Sequence, residues 1–157
     1  MPRLWPSAVA PLDGSLIVIV GTQAISQIEK FLRVDSGTRE AGGILLGYRR
    51  DPHIEILAAT LPARGDQRRR FSFVRAGCSH QRAATRAWRD SEHRVDYVGE
   101  WHTHPESNPS PSAVDRHELV RRSIEHRDDF LVELILGFDA VWFGMAGRKH
   151  YVPLKAI

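Results

Sequence analysis

A single cysteine, Cys78, leaves no partner for an internal disulfide and no basis for a cysteine-built metal framework. As a nucleophile it would need an arranged base. His80 is close in sequence, but nothing in the pattern aligns it, so Cys78 is expected to be a small, semi-buried helix residue. Long apolar runs are missing as well. No stretch approaches the roughly 20 apolar residues of a membrane-spanning helix. The opening MPRLWPSAVAPLDG lacks the charged segment and apolar core of a signal peptide. The expectation is a cytoplasmic protein without membrane contact. Internal repeats and low-complexity linkers are absent too, so residues 1–157 are expected to form a single domain, with 1–14 flexible or irregular. An excess of acid is likewise missing: the net charge is +3, carried largely by arginine. Arg64, Arg68, Arg69 and Arg70 cluster in a loop, but no helix-turn-helix, zinc-finger or aromatic-interleaved pattern accompanies them. A solvated face or a contact with an acidic protein is expected there, not nucleic acid.

What is present is an alternation of short apolar runs with helical periodicities. SLIVIV (Ser15 to Val20), AGGILLGYR, HIEILAAT and RRFSFVR read as strands by length and β-branched content. Thr22 is a plausible N-cap for a helix with Ile25, Ile28, Phe31 and Leu32 on one face. Ser79 to Glu92 reads as a second helix, with Ala83, Ala84, Ala87 and Trp88 inward. VDYVGEWHTH follows as a strand. Ser112 to about Glu125 reads as a third helix, burying Val114, Leu119, Val120 and Ile124. FLVELILGF and AVWFGMA close the chain as paired strands, with KHYVPL a further candidate. Helices interrupting a mainly antiparallel set of strands define the α+β class.

The densest chemistry lies in GEWHTHPESNPSPSAVD, Gly99 to Asp115. Residues two apart on a strand share a face about 6.6–7 Å apart. His102 and His104 can therefore converge on one ion while Thr103 points away. Pro105, Pro109 and Pro111 stiffen the loop that follows. Ser112-Ala113-Val114-Asp115 then approximates a capping box, which accounts for both polar residues without any function. A stiff turn would also return the helix start over the strand end, offering the Asp115 carboxylate as a third ligand. Two histidines and one carboxylate with an open position suit a catalytic zinc. Such a site needs a nearby carboxylate base outside the ligand set. Glu40 and Glu100 both qualify, and residue chemistry alone does not choose between them.

E-A-G-G-I-L-L-G (Glu40 to Gly47), then H-T-H-P, seven residues from His104 to Ser112 and S-x-x-D, resembles the JAMM (JAB/MPN) metallopeptidases over essentially the whole domain. The resemblance implies a curved, mostly antiparallel sheet flanked by about three helices and one Zn2+ per chain. It implies His102, His104 and Asp115 as zinc ligands, Glu40 as the base, and Ser112 as a hydrogen-bond donor to the oxyanion. Glu100 then becomes a structural or supporting residue. Gly42 and Gly43 permit either a close backbone approach or simple strand-start flexibility. R-R-F-S-F-V and Y-V-G-E-W-H-T-H-P-E with P-S-P-S are similar to compact bacterial stand-alone members. Those are encoded beside ubiquitin-activating (E1-like) and ubiquitin-conjugating (E2-like) proteins in antiviral cassettes. The implied substrate is a protein conjugated through an extended C-terminal tail, either a ubiquitin-like protein or a cGAS-like nucleotidyltransferase. A non-catalytic interaction module, and an enzyme acting on a sulfur-carrier protein or small molecule, are the alternatives.

Overall fold

The computed structural model describes residues 5–32, 37–127 and 129–157. Among them are eleven strands and three α-helices. The strands are β1 (Ala8–Ala10), β2 (Val18–Val20), β3 (Gly42–Arg50), β4 (His53–Ala59), β5 (Gln67–Arg69), β6 (Ser72–Val74), β7 (Val95–Thr103), β8 (Leu131–Leu136), β9 (Val141–Gly147), β10 (His150–Pro153) and β11 (Lys155–Ala156). The helices are α1 (Thr22–Ile28), extended by a 3-10 turn at Glu29–Phe31, α2 (Ser79–Asp90) and α3 (Ala113–Glu125). Nine strands form one sheet in the order β10-β9-β8-β7-β3-β4-β2-β1-β11, and β5 and β6 form a separate hairpin. Only β2–β4 and β7–β8 pair in parallel. The expected mostly antiparallel α+β sheet with three helices is therefore what forms.

Both faces are covered at the centre of the sheet, and side-chain alternation divides them. On β3, Leu45 joins a core with Trp101, Leu134 and Ile28 of α1, whereas Ile44 and Leu46 join one with Tyr97 and Leu119 of α3. Two covered faces explain why β8 is buried at every position. They also make the polar Glu133, in the middle of β8, unusual. His102 and Glu100 lie opposite Trp101 along β7, on the side covered by α3.

Several local expectations need correction. Part of the segment 1–14 is not irregular: Ala8–Ala10 form β1, between β2 and β11, with Val9 fully buried; residues 1–4 lie outside the described residues. The N-cap of α1 is Gly21, without a side-chain cap, because its N–H bonds Ile56 O at 2.8 Å and turns the chain one residue early. RRFSFVR is not one strand. Arg69 pairs with Ser72, so Arg70 and Phe71 make a two-residue turn within the β5–β6 hairpin. Trp88 (41% exposed) lies outside the core, stacked on His93, and Val114 (69%) and Ile124 are exposed too. Their place on α3 is taken by Leu119 and Ser123, the latter donating from its hydroxyl to Asp129 O at 2.8 Å. Cys78 is exposed and caps α2 without a side-chain bond.

The choice left open for the glycines resolves toward close approach. A Cβ on Gly43 would stand 2.2 Å from Thr60 O, and one on Gly42 would meet the Phe73 ring at 2.5 Å. Gly43→Ala should therefore destabilise the protein by at least the about 1–3 kcal/mol typical of overpacking, since the obstructing atom is backbone. The urea midpoint at constant m-value measures this; an unchanged midpoint would mean that β3 and Thr60 are not so close.

Candidate metal centre

Three segments distant in sequence meet at the start of β3 and the end of β7. Gly42 is the register partner of His102 in the antiparallel β3–β7 pair. One residue further, Thr103 N–H donates to Ala41 O and Ala41 N–H donates to Thr103 Oγ1, both at 2.9 Å. Thr103, the residue that points away from the H-x-H face, thus grips the backbone next to Glu40. The far side of β7 is fixed by His104 N–H on Leu136 O at 2.9 Å. Pro109 and Pro111 are buried, and Phe138 N–H reaches back to Glu106 O at 2.8 Å, so the connecting loop is packed onto the sheet.

That loop delivers the helix start to the histidines. His102 Nε2 and His104 Nε2 lie 3.0 Å apart. Asp115 Oδ2 is 3.5 Å from the first and 3.2 Å from the second. The three ligand atoms fall within 4.8 Å of one another, a spacing at which one small cation can touch all three. The capping box forms as well: Ser112 Oγ accepts from Asp115 N–H at 3.0 Å, and Ser112 N–H donates to Asp115 Oδ2 at 2.8 Å. The same carboxylate oxygen therefore serves the helix cap and faces both imidazoles. Ser112 is exposed, and with its oxygen accepting from the backbone its own O–H is left to donate.

Electrostatics follow from this packing. Burial works against a charged Asp115, but hydrogen bonds from His102 and His104 outweigh it and hold the carboxyl far below the usual range. Burial also opposes protonation of His102, yet Asp115 and the nearby Glu133 and Glu40 raise its affinity for a proton. A pair of imidazoles kept against a carboxylate attracts either protons or a cation. A divalent metal would displace the protons.

Glu40 is 6% exposed, and burial pushes its carboxyl up to about 7 despite the pull of His102 and His104. Glu100, the alternative base, is engaged elsewhere. It accepts from Arg122 Nη1 at 2.6 Å and from Tyr97 OH at 3.0 Å, and it pairs with Arg75 at 2.8 Å. Glu40, by contrast, has no side-chain ion pair with an arginine among the described residues, and it lines the same cleft as His102, His104 and Asp115. Sequence reasoning missed Glu133, whose carboxylate accepts from Tyr151 OH at 2.6 Å behind the site; a glutamate inside an apolar strand was its available signal. It also missed the arginines Arg75 and Arg122. A cleft of about 810 Å³ joins these parts, with Phe73 and Val74 of the hairpin on one wall and Val114 and Leu119 of α3 on the other.

A cluster of two histidines and one carboxylate, with a buried glutamate alongside and an open cleft, is the arrangement of a single-metal hydrolase centre. The chain belongs to the prokaryotic homologs of the JAB domain, whose family model matches residues 24–142. A Vibrio cholerae protein named CD-NTase/cGAS isopeptidase is 34% identical over 142 residues, covering 90% of this chain and 89% of that one. A Pseudomonas aeruginosa protein of the same name is 35% identical, covering 78% and 77%; one from Escherichia coli is 30% identical, covering 88% and 87%. The solution structure of a Desulfitobacterium hafniense protein shares the fold, with a TM-score of 0.58 at 20% identity over 89% of this chain and 90% of that one.

Burial of Glu40 has a measurable linkage. Its folded pKa lies above the unfolded value near 4.5, so the folded state holds the proton longer, and stability falls as pH rises from about 4.5 to about 7. In the metal-stripped protein, Glu40→Gln should be more stable than the parent at pH 8. That gain should fade as pH approaches 4.5, measured by urea denaturation. A pH-independent difference would place the Glu40 carboxyl in a solvated environment.

Proposed function

We propose that this protein is a zinc-dependent isopeptidase that removes a cGAS-like nucleotidyltransferase from proteins to which its extended C-terminal tail has been conjugated. We place it as a cytoplasmic component of a bacterial antiviral cassette with E1-like and E2-like neighbours. The observation that carries the reading is the convergence of His102, His104 and Asp115 beside the buried Glu40. The names of relatives that are 30% to 35% identical support the substrate class over a ubiquitin-like protein. The donor set fits zinc: two imidazoles and one carboxylate, close enough to share an ion, with no fourth protein ligand among the described residues. Among those residues no helix is long and apolar enough to cross a membrane.

His102, His104 and Asp115 would hold the ion. When bound, zinc supplies Lewis acidity toward the scissile carbonyl and the attacking water. Glu40 removes one proton from that water as its oxygen bonds to the carbonyl carbon. A carboxyl whose affinity for protons is raised by burial is suited to holding that proton at neutral pH. Ser112 Oγ–H donates to the oxygen that becomes negative in the tetrahedral intermediate. Glu40 then returns the proton to the departing nitrogen, the C–N bond breaks, and the remaining hydroxyl proton passes to the amine, leaving a free tail carboxylate and a lysine ammonium. Water is the nucleophile, so no acyl-enzyme forms. The cleft walls from Phe73, Val74, Val114 and Leu119 would seat the tail on apolar surfaces.

Glu40→Gln should retain zinc and bind a tail-linked fusion but lose turnover by about 10²–10⁴-fold or more, the usual worth of general acid–base catalysis. Single-turnover cleavage and metal content measured on the same samples test this. Normal cleavage by that variant would remove Glu40 from the reaction. Asp115→Ala should lower zinc occupancy, read by metal analysis, because it deletes the only anionic ligand. Full zinc and full activity in that variant would reduce Asp115 to a helix cap. A wild-type protein that binds zinc and the fusion but never cleaves it would instead be an interaction module.

A further inference from the structure

A second buried histidine–carboxylate pair stands outside the metal centre, at the root of the β5–β6 hairpin. His80 is 2% exposed and the Asp66 side chain is fully buried, with His80 Nε2 2.7 Å from Asp66 Oδ2. The other ring nitrogen, Nδ1, is 2.6 Å from Thr60 Oγ1. Nε2 faces a carboxylate oxygen and donates its N–H there, so in the neutral ring Nδ1 accepts the Thr60 hydroxyl proton, while Thr60 Oγ1 itself accepts from Ile44 N–H at 2.9 Å. Asp66 accepts three backbone amides as well: Ala63 N–H at 2.7 Å on the chain entering the hairpin, and Ala76 N–H at 3.1 Å and Gly77 N–H at 2.9 Å on the chain leaving it. One carboxylate thus closes both ends of the hairpin, and one imidazole ties that closure to β3 and to the end of β4.

The hairpin in turn holds the backbone of Glu40. Glu40 N–H donates to Arg69 O at 2.7 Å, and Arg68 Nε donates to Glu40 O at 2.9 Å. Arg68 Nη2 also reaches Arg39 O, at 3.4 Å. Both peptide groups of Glu40 are therefore clamped by β5. A continuous chain of hydrogen bonds runs from Ile44 on β3 through Thr60, His80 and Asp66 to the hairpin. It returns through Arg68 and Arg69 to Glu40, just before β3 begins.

We propose that Asp66 and His80 are positioning residues for Glu40: they hold the β5–β6 hairpin in the place from which it fixes the Glu40 backbone beside the ligand histidines. The catalytic side of this inference rests on the assignment of Glu40 as the base; the hydrogen-bond linkage does not. A purely structural pair would affect stability and leave the folded enzyme's turnover intact. A positioning pair lowers turnover without touching the metal, because a misplacement near 1 Å can cost about 10²-fold.

The test compares His80→Gln, Asp66→Asn and Arg68→Gln with the wild type. Metal content, kcat and KM on the tail-linked fusion, and backbone amide exchange at Glu40 are measured for each. All three variants should keep their zinc and lose about 10- to 100-fold in kcat. Each should also speed exchange of the Glu40 amide. Arg68→Gln, which removes contacts to the Arg39 and Glu40 carbonyls and leaves the hairpin root intact, should leave KM unchanged. Folded, zinc-loaded His80→Gln and Asp66→Asn with wild-type kcat and wild-type Glu40 exchange would overturn the proposal. If either root variant fails to fold, Arg68→Gln decides: wild-type turnover there overturns it equally. A wild type that cleaves no fusion would sink the isopeptidase reading, whereas faster exchange at Glu40 in the variants would still support the linkage.

Discussion

The antiparallel pairing of β3 with β7 is the interaction on which the site depends. It sets Gly42 opposite His102, and it works only because the first two residues of β3 have no side chains. With Cβ atoms there, the strand would collide with Thr60 and with the Phe73 ring of the hairpin. The pair of bonds between Ala41 and Thr103 extends the contact beyond the strand itself. A residue at the edge of the core thereby becomes part of a constellation whose other members come from the far half of the chain. The buried faces of both strands make the register hard to shift, since a slip of one residue would exchange the two cores.

Much of this was legible in the sequence for identifiable reasons. H-x-H on a strand fixes two side chains on one face by geometry alone, and Ser112 and Asp115 announce a helix start by their chemistry. The strong apolar runs located β3, β4, β7, β8 and β9 because burial on one or both sides leaves a direct trace in composition. The hairpin was not legible. RRFSFVR alternates well enough for a single strand, and nothing in Arg70–Phe71 advertises a two-residue turn. His80 gave no signal either, because its partners, Thr60 and Asp66, lie on other elements. Periodicity points Trp88 and Val114 inward, but α2 packs on the sheet through the small side chains of Ala84 and Ala87, and the start of α3 is taken up by the Ser112–Asp115 cap beside the histidines.

The helix cap that Asp115 forms and its proposed role as a metal ligand do not compete. Oδ2 accepts from the Ser112 amide and simultaneously lies against both imidazoles. A carboxylate oxygen has lone pairs for more than one partner, and the cap restricts its side chain before any ion arrives. For an ion bound as proposed, the ordering cost of this carboxylate would thus be met during folding, which favours tight binding through preorganisation. His102 is similarly constrained, being carried on β7 between β3 and β8, and His104, just past the end of that strand, is tied down by its N–H on Leu136 O.

This division of labour has a consequence for how the site would decay if the reaction ceased to matter. Ser112 and Asp115 would remain under pressure to start α3, so their persistence in an idle descendant would say little about catalysis. Glu40 has no such second employment. Burying its carboxylate costs stability, and the attraction of His102 and His104 does not offset that cost. A gene duplicate freed from its chemistry would therefore drift first at Glu40, while the helix cap survived as a fossil of the vanished centre.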